Sequence, residues 1–461
     1  MSKLQLRFPL GVGHGLHETV FARGEHESVA FCLVSHIEVD GTTVLLVRHV
    51  LGMGEHEYLN DPSHGATWRG TSMLPIIDLA MREGLGIVLV HAHDFPDAAR
   101  LSQDDLASAR RLVPMFQARV PGRPHGSIVL ARGTATGFLA LPGRAPALLD
   151  GVAVRWMGQA IVDWPSRDPD AGRDDEVFDR QALVLGDQGA LSRACVAVAG
   201  LCGGGSHVVQ QLAHSGVGTV VGIDADICDR TNLHRMVGMR PADASQRRRK
   251  TAVMSRVAQS VGTGTRFIGI NARVPEPPAL DALKRADVIV GCVDTLHARA
   301  DLQEFAWRHL IPYVDVGVGI RALSGSLSEP RAAIGGNIFV LIPGGFCLWC
   351  AGFLSDAALK EELGGRDRSY FQNKKGQAQV ISFNGVVASQ AVSEVLQLLT
   401  GYRGSGFDPS DLALEDGRQR GALKFDGRRG TLEEWGARRR EACPCCEGSL
   451  GAGTVLWRKA S

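Results

Sequence analysis

The sequence Gly200-Leu-Cys-Gly203-Gly204-Gly205 follows the apolar run Val196–Ala199 and precedes a helix-like stretch. A second apolar run, Thr219–Ile223, then ends on Asp224. A strand, a glycine turn, a helix and a second strand closed by an acid make a nucleotide-binding unit. Glycines let the backbone approach phosphate, the helix N-terminus offers unpaired N–H groups, and the acid takes ribose hydroxyls. The residues around and beyond this unit decide the class of nucleotide. Cys202 stands where a dinucleotide turn has its second glycine, and Asp226 adds a second carboxylate. Asn232, Arg235 and Lys250 are polar and cationic groups that suit a triphosphate better than a nicotinamide. Asp294, just past the run Asp287–Val293, falls at the carboxyl end of a strand, a position from which a carboxylate holds magnesium.

Two further groups of residues point to metal. Cys347-Leu-Trp-Cys350 and Cys443-Pro-Cys445-Cys446 are C-x-x-C pairs that can close a tetrahedral thiolate site with no open position, a structural zinc. Cys445 lies between ligands, and exchange with Cys446 stays open. His91 and His93 end the apolar run Leu85–Val90 and point to the same side of a strand. Ser102 is a natural N-cap, with Asp105 three residues on. Two imidazoles and one carboxylate leave the fourth position of a catalytic zinc to water, the layout of a hydrolytic site. Its general base is expected at Glu27, with Glu55-His-Glu57 ranked second.

These residues need elements to hold them. Strands are expected over 28–37, 42–50, 85–91 and 126–131, and helices over 74–82 and 102–118. They form a first α/β unit over residues 1–150. The stretch Asp163–Asp175 is rich in proline, glycine and acid, so 151–175 reads as a linker. From 176 to 461 strands and helices alternate: 194–199, 205–215, 218–224, 243–261, 264–270, 277–285, 287–292 and 296–308. That rhythm predicts a parallel, doubly wound, Rossmann-like sheet. Strands at 312–317, 320–328 and 337–342 and a long helix over 382–402 complete it.

Bulk composition excludes some classes. With 50 Lys+Arg against 49 Asp+Glu in 461 residues the net charge is +1, which argues against nucleic-acid or membrane-surface partners. The runs Arg247–Lys250 and Arg438–Arg440 read as solvated helix faces. No run of eighteen apolar residues and no secretory core occurs, and the ten cysteines suggest a reducing compartment, so a cytoplasmic protein is expected.

From Asp179-Arg180-Gln181 onward the chain resembles the ThiF/MoeB/ubiquitin-activating superfamily, on the glycine turn, Gly222-Ile-Asp224-Ala-Asp226, Thr231-Asn232-Leu-His-Arg235, Lys250, Cys292-Val-Asp294 and the paired cysteines. The resemblance implies ATP-dependent adenylation of the C-terminal glycine of a ubiquitin-like protein. Gly203 and Asp224 would hold the adenosine, Asn232, Arg235 and Lys250 the phosphates, and Asp294 the magnesium. Arg180 would reach into the partner's site across a homodimer. Many relatives carry a thioester cysteine after the first zinc knuckle, but 351–442 has none. The acyl group is therefore expected to pass directly to an external nucleophile, with Cys228 and Cys445 as outside candidates.

The arrangement Glu27, His91-x-His93, Ser102-x-x-Asp105 resembles the JAMM (JAB/MPN) metalloproteases over residues 20–140. There a glutamate activates zinc-bound water against an isopeptide carbonyl while the serine steadies the oxyanion. Eight residues separate His93 from Ser102 where that family has seven. Either 94–101 carries an extra residue, the preferred reading, or Asp104 replaces Asp105. Together the resemblances imply a fusion that processes or removes a ubiquitin-like modifier and also activates it. The implied setting is a bacterial conjugation system with a conjugating-enzyme partner, phage defence being one such system. The rival is activation of a sulfur carrier for cofactor biosynthesis; a binding scaffold and a dehydrogenase fit less well.

Overall fold

A computed structural model describes residues 3–21, 27–59, 66–93, 99–131, 133–149, 151–164, 176–186, 188–322, 332–364, 378–404, 406 and 408–453. The first sheet is built from β1 (Lys3–Phe8), β2 (Val29–Val39), β3 (Thr42–Gly52), β4 (Gly86–Ala92), β5 (His125–Ala131), β6 (Thr134–Ala140), β7 (Ala147–Leu149), β8 (Ala153–Met157) and β9 (Ile161–Trp164). Its order is β7-β6-β5-β4-β2-β3-β1-β8-β9. All seven residues of β4 are buried, as expected for a strand covered on both faces. β2 runs antiparallel to β4 with Val29 opposite His91, so the chain just before β2 meets the end of β4. The helix Gln103–Arg119 starts on a capping box: Ser102 Oγ accepts from Asp105 N (3.0 Å) and Asp105 Oδ2 from Ser102 N (2.8 Å).

The N-terminal stretch is part of this sheet. Leu4, Leu6 and Phe8 are 3%, 0% and 0% exposed, and β1 lies parallel to both β3 and β8. Burying each such side chain contributes roughly 1.5–3 kcal/mol, enough to draw the strand inside. The expected boundary near residue 150 falls between β7 and β8, and the sheet continues to Trp164.

The second sheet comprises β10 (Cys195–Ala199), β11 (Thr219–Ile223), β12 (Arg266–Ile270), β13 (Val288–Gly291), β14 (Tyr313–Ala322), β15 (Ala332–Leu341), β16 (Gln419–Asp426) and β17 (Thr431–Ala437). Its order is β12-β11-β10-β13-β14-β15-β16-β17, parallel through β14 and antiparallel beyond. The chain leaves β10 to one side and returns through β13 on the other, which creates a switch point between them. Val196 and Val198 pack with Val208, Leu212 and Met254 on one face, and Ala197 and Ala199 with Leu302 and Phe305 on the other. Helices thus cover both faces.

Three expectations need correction. The helix expected over 243–261 is two, Pro241–Ser245 and Lys250–Val261, because Arg247 takes a left-handed conformation (φ 48°) between them. Lys250 therefore opens a helix. The strand expected over 320–328 meets only the end of β14, and 323–331 lie outside the described residues. β16 and β17 were not foreseen.

The two sheets pack on each other. Ile37, Val44 and Leu46 join the apolar cluster of Leu302 and Phe305. Arg155 on β8 spans the junction, with Nε and Nη2 donating to Asp163 (2.7 and 2.8 Å) and Nη1 to Asp287 (2.6 Å). Among the described residues no helix is long and apolar enough to cross a membrane.

Candidate functional site

The carboxyl ends of β10, β11 and β13 open onto a cavity of about 910 Å³. Gly203, Asp224, Asn232, Arg235, Lys250 and Asp294 all line it. The turn needs glycine at two points. Gly200 has φ +87°, and a Cβ there would lie 2.5 Å from the Cys292 carbonyl oxygen; one on Gly205 would lie 1.8 Å from that of Gly200. Cys202 has an ordinary φ of −93°, so a small side chain is accommodated where a dinucleotide turn would have glycine. Asp224 is held from two sides, by Leu201 N–H on Oδ2 and Asp226 N–H on Oδ1, both at 2.8 Å. Arg235 donates to the Thr231 carbonyl (3.0 Å), and Asn232 Oδ1 accepts from Asp229 N (2.9 Å).

Lys250, only 7% exposed, reaches Asp226 Oδ2 at 2.9 Å and Asp224 Oδ2 at 3.7 Å. Burial works to strip its proton, but Asp224 and Asp226 outweigh burial and raise its pKa. The run Arg247–Lys250 is thus no solvated face at its end; Arg249 also donates to the Ala225 carbonyl (2.6 Å). Arg180 is exposed on the helix Asp179–Leu185 and is not among the residues lining the cavity.

The cysteines of both C-x-x-C pairs converge. Sγ separations are 3.6 Å for Cys347–Cys350, 3.5 Å for Cys347–Cys443 and 3.7 Å for Cys350–Cys446, and none is disulfide-bonded. Four thiolates about 2.3 Å from a zinc would stand about 3.8 Å apart, so the set fits that ion with modest relaxation. Arg438–Arg440 follow β17 and are not helical. Arg439 donates to the carbonyls of Gly344 and Cys446, Arg440 to that of Trp349, and Arg440 N–H to Cys350 Sγ (3.3 Å). Their charge braces the knuckles, contrary to expectation.

A third group lies at the end of β4. His93 Nε2 is 3.3 Å from Glu27 Oε1 and 3.7 Å from Asp105 Oδ2, and His91 Nε2 is 3.1 Å from Asp105 Oδ1. The Glu27, His91 and His93 donor atoms lie within 4.8 Å of one another. His91 Nε2 is buried and faces the Asp105 carboxylate, so a metal ion at this spot would lie between the two rings, that acid and Glu27. The Glu27 hydrogen bond raises the His93 pKa. Burial works to raise Asp105, but the His91 ring and Ser102 outweigh it and hold the carboxylate well below its usual range. Asp104 is exposed, Glu57 Oε2 accepts from Gly54 N (2.7 Å), and neither joins the group. The expected extra loop residue falls in 94–101, of which 94–98 lie outside the described residues.

The ThiF family matches residues 178–445, more than half of the chain. The chain belongs to the ThiF family. It is 25% identical over 281 residues to the sulfur carrier protein ThiS adenylyltransferase of Escherichia coli K12, a match spanning 60% of this chain and 92% of that protein. The adenylyltransferase and sulfurtransferase MOCS3 of mouse is 33% identical over 128 residues, 26% of this chain and 27% of that one. Among solved structures, Escherichia coli MccB with ATP aligns at 16% identity and a TM-score of 0.45, covering 90% of this chain and 99% of that one.

The ThiF-family half is an adenylyltransferase, and its cavity contains groups that no motif announced. Arg273, three residues past β12, places Nη2 3.2 Å from Asp226 Oδ1. Arg299 is buried against Asp315, and its Nη2 donates to the carbonyls of Val293 (2.9 Å) and Val316 (3.3 Å). This ties down the backbone that presents Asp294. The strand-end position of Arg273 was the available signal; Arg299 offered none. The ThiF match begins at residue 178 and leaves the histidine group outside it.

Proposed function

We propose that this ThiF-family protein adenylates the C-terminal carboxylate of a small ubiquitin-like or sulfur-carrier protein. The observation that carries the reading is the convergence of Asp224, Asn232, Arg235, Lys250 and Asp294 on one cavity at a strand switch point. A carboxylate oxygen of the carrier attacks the α-phosphorus of ATP. The bond from that phosphorus to the bridging oxygen breaks, pyrophosphate leaves, and a mixed acyl-phosphate anhydride remains. Asp224 orients the ribose; Lys250, Arg235 and Asn232 neutralise and position the phosphates. Asp294 would hold magnesium, which supplies further charge neutralisation. Arg180, exposed on its helix, serves the second copy of a homodimer.

We assign residues 1–150, with β8 and β9 added, to a second unit, a zinc isopeptidase, joined through 165–175 to the adenylating unit 176–461. His91, His93 and Asp105 would hold a zinc ion, which lowers the pKa of bound water when present. Glu27 takes the proton and passes it to the leaving amine; Ser102 steadies the oxyanion. The four knuckle cysteines would hold a second, structural zinc. A ubiquitin-like conjugation system with a separate conjugating enzyme is the setting that uses both activities.

The match across 92% of a ThiS adenylyltransferase favours sulfur-carrier activation as the second reading. ATP–pyrophosphate exchange with carriers ending in glycine tests the first half, and Asp294→Ala should lose it. Cleavage of a carrier extended past its glycine, lost in Glu27→Gln, tests the other. Sulfide-dependent thiocarboxylate formation without lysine conjugates would decide for the second reading. Intact protein that exchanges no pyrophosphate with any such carrier refutes adenylation of this substrate class.

A further inference from the structure

We infer that Asn384 is a phosphate-binding residue of the nucleotide cavity. The inference rests on the adenylyltransferase reading and adds a group from an element that no motif marks. Asn384 lies near the start of the helix Ile381–Thr400, is 3% exposed and lines the cavity. Its Nδ2 is buried and has no hydrogen-bond partner among the described residues. Nearly all buried donors are paired, so this one calls for a partner.

The surroundings say what that partner is. A Cβ built on Gly203 would stand 2.6 Å from Asn384 Nδ2 and 3.3 Å from its Cγ, so the amide rests on the first residue of the helix Gly203–His214. That helix has no side-chain cap, and its first backbone bond runs from Ser206 N to the Cys202 carbonyl (3.0 Å). The N–H groups ahead of it point out of the helix end, where the helix dipole favours negative charge. A side-chain donor and a helix N-terminus meet at one spot, and Lys250 and Arg235 line the same cavity. Asp224 and Asp226, the acids nearest Lys250, are already held by backbone N–H groups and by Lys250. The ligand class is therefore an anionic oxygen, and in this cavity that is the phosphate chain of ATP. Gly203 is glycine here because a methyl group would displace the amide.

Calorimetric titration of the full-length chain with adenosine, AMP and ATP in the presence of magnesium tests this. Losing a hydrogen bond to a charged group costs roughly 10- to 100-fold in affinity. Asn384→Ala should weaken ATP by that factor and leave adenosine within twofold. An equal loss with AMP puts the amide on the α-phosphate; a loss confined to ATP puts it further along the chain. Asn384→Asp should be weaker than Asn384→Ala, since a carboxylate repels phosphate. Asn384→Ser, which keeps a small polar side chain at the start of the helix Ile381–Thr400, should reproduce the pattern if Asn384→Ala does not fold. ATP and AMP affinities within twofold of wild type, or a uniform loss that includes adenosine, overturn the inference while the adenylyltransferase reading stands. Wild-type protein that binds no ATP overturns both.

Discussion

Lys250→Met is the most direct probe of the nucleotide cavity. Methionine keeps the length and apolar stem of a side chain that is almost wholly buried, so what it removes is the ammonium group. That group stands 2.9 Å from Asp226 and 3.7 Å from Asp224, and they keep it charged against the pull of burial. The variant suffers two losses. A charge-assisted hydrogen bond to phosphate contributes about 1.5–3 kcal/mol. Asp226, half exposed, then faces the triphosphate with only the exposed Arg273 as counter-charge. At surface-like screening this adds about 0.5 kcal/mol. The sum, about 2–3.5 kcal/mol, corresponds to a fall of roughly 30- to 300-fold in kcat/KM for ATP. ATP–pyrophosphate exchange measures it, and Asp226→Asn in the same background should recover about twofold by removing the repelling charge. If Lys250→Met kept more than a fifth of wild-type exchange with an unchanged melting temperature, the lysine would not be at the phosphates.

The metal sites, the junction and one buried acid give three further expectations. Purified protein should contain two zinc ions per chain by elemental analysis; Cys443→Ser and His91→Ala should each remove a different one, and only the first should lower the melting temperature markedly. Arg155→Met should strand two largely buried carboxylates, Asp163 and Asp287, and destabilise the chain by about 3 kcal/mol in denaturant unfolding; a loss under about 1 kcal/mol would mean the bridge is dispensable. Asp301 is raised by burial and then by Glu304 from 3.8 to about 6. The folded chain therefore keeps this proton after the unfolded chain has lost it, and stability falls as pH rises between those values. Asp301→Asn should be more stable than wild type at pH 7.5, by on the order of 1–2 kcal/mol, and equal to it near pH 4. Equal melting at both pH values would contradict the assignment.

What was legible in the sequence was local. The glycine turn, Asp224, the strand ending on His91 and His93, and the Ser102 cap are each fixed by neighbours within a few residues. Charge alone misled at Arg247–Lys250, because a left-handed Arg247 turns a solvated run into a helix start whose last residue points inward. It misled again at Arg438–Arg440, where the guanidinium groups answer backbone carbonyls more than ninety residues away for Trp349 and Gly344. β16 and β17 carry Arg420, Lys424, Glu433 and Glu434 and expose much of their length, so their residues show no apolar alternation. Leu4, Leu6 and Phe8 do alternate, yet nothing local says that their partners are β3 and β8. Arg273 and Asn384 arrive at the cavity on elements joined only by the tertiary fold.

The junction between the sheets bears on how two centres could serve one substrate. Arg155 joins β8 to β9 through Asp163 and to Asp287, and the other oxygen of Asp287 accepts from Cys195 N at the start of β10 (2.8 Å). The same bridge therefore holds β10 and the residue ahead of β13, the strands that lead to the Gly200 turn and to Asp294. Arg7 on β1 adds a bond to the His309 carbonyl (3.2 Å), and Ser35 on β2 one to Gly451 (2.6 Å). A junction made of a buried ion network and shared apolar side chains does not swing, as a flexible tether would. On the proposed reading the carrier's tail must then do the travelling, leaving the histidine centre after cleavage and entering the nucleotide cavity with its new carboxylate. Fusion raises the local concentration of tails for the second step, and release between steps lets a carrier already ending in glycine enter the cavity directly.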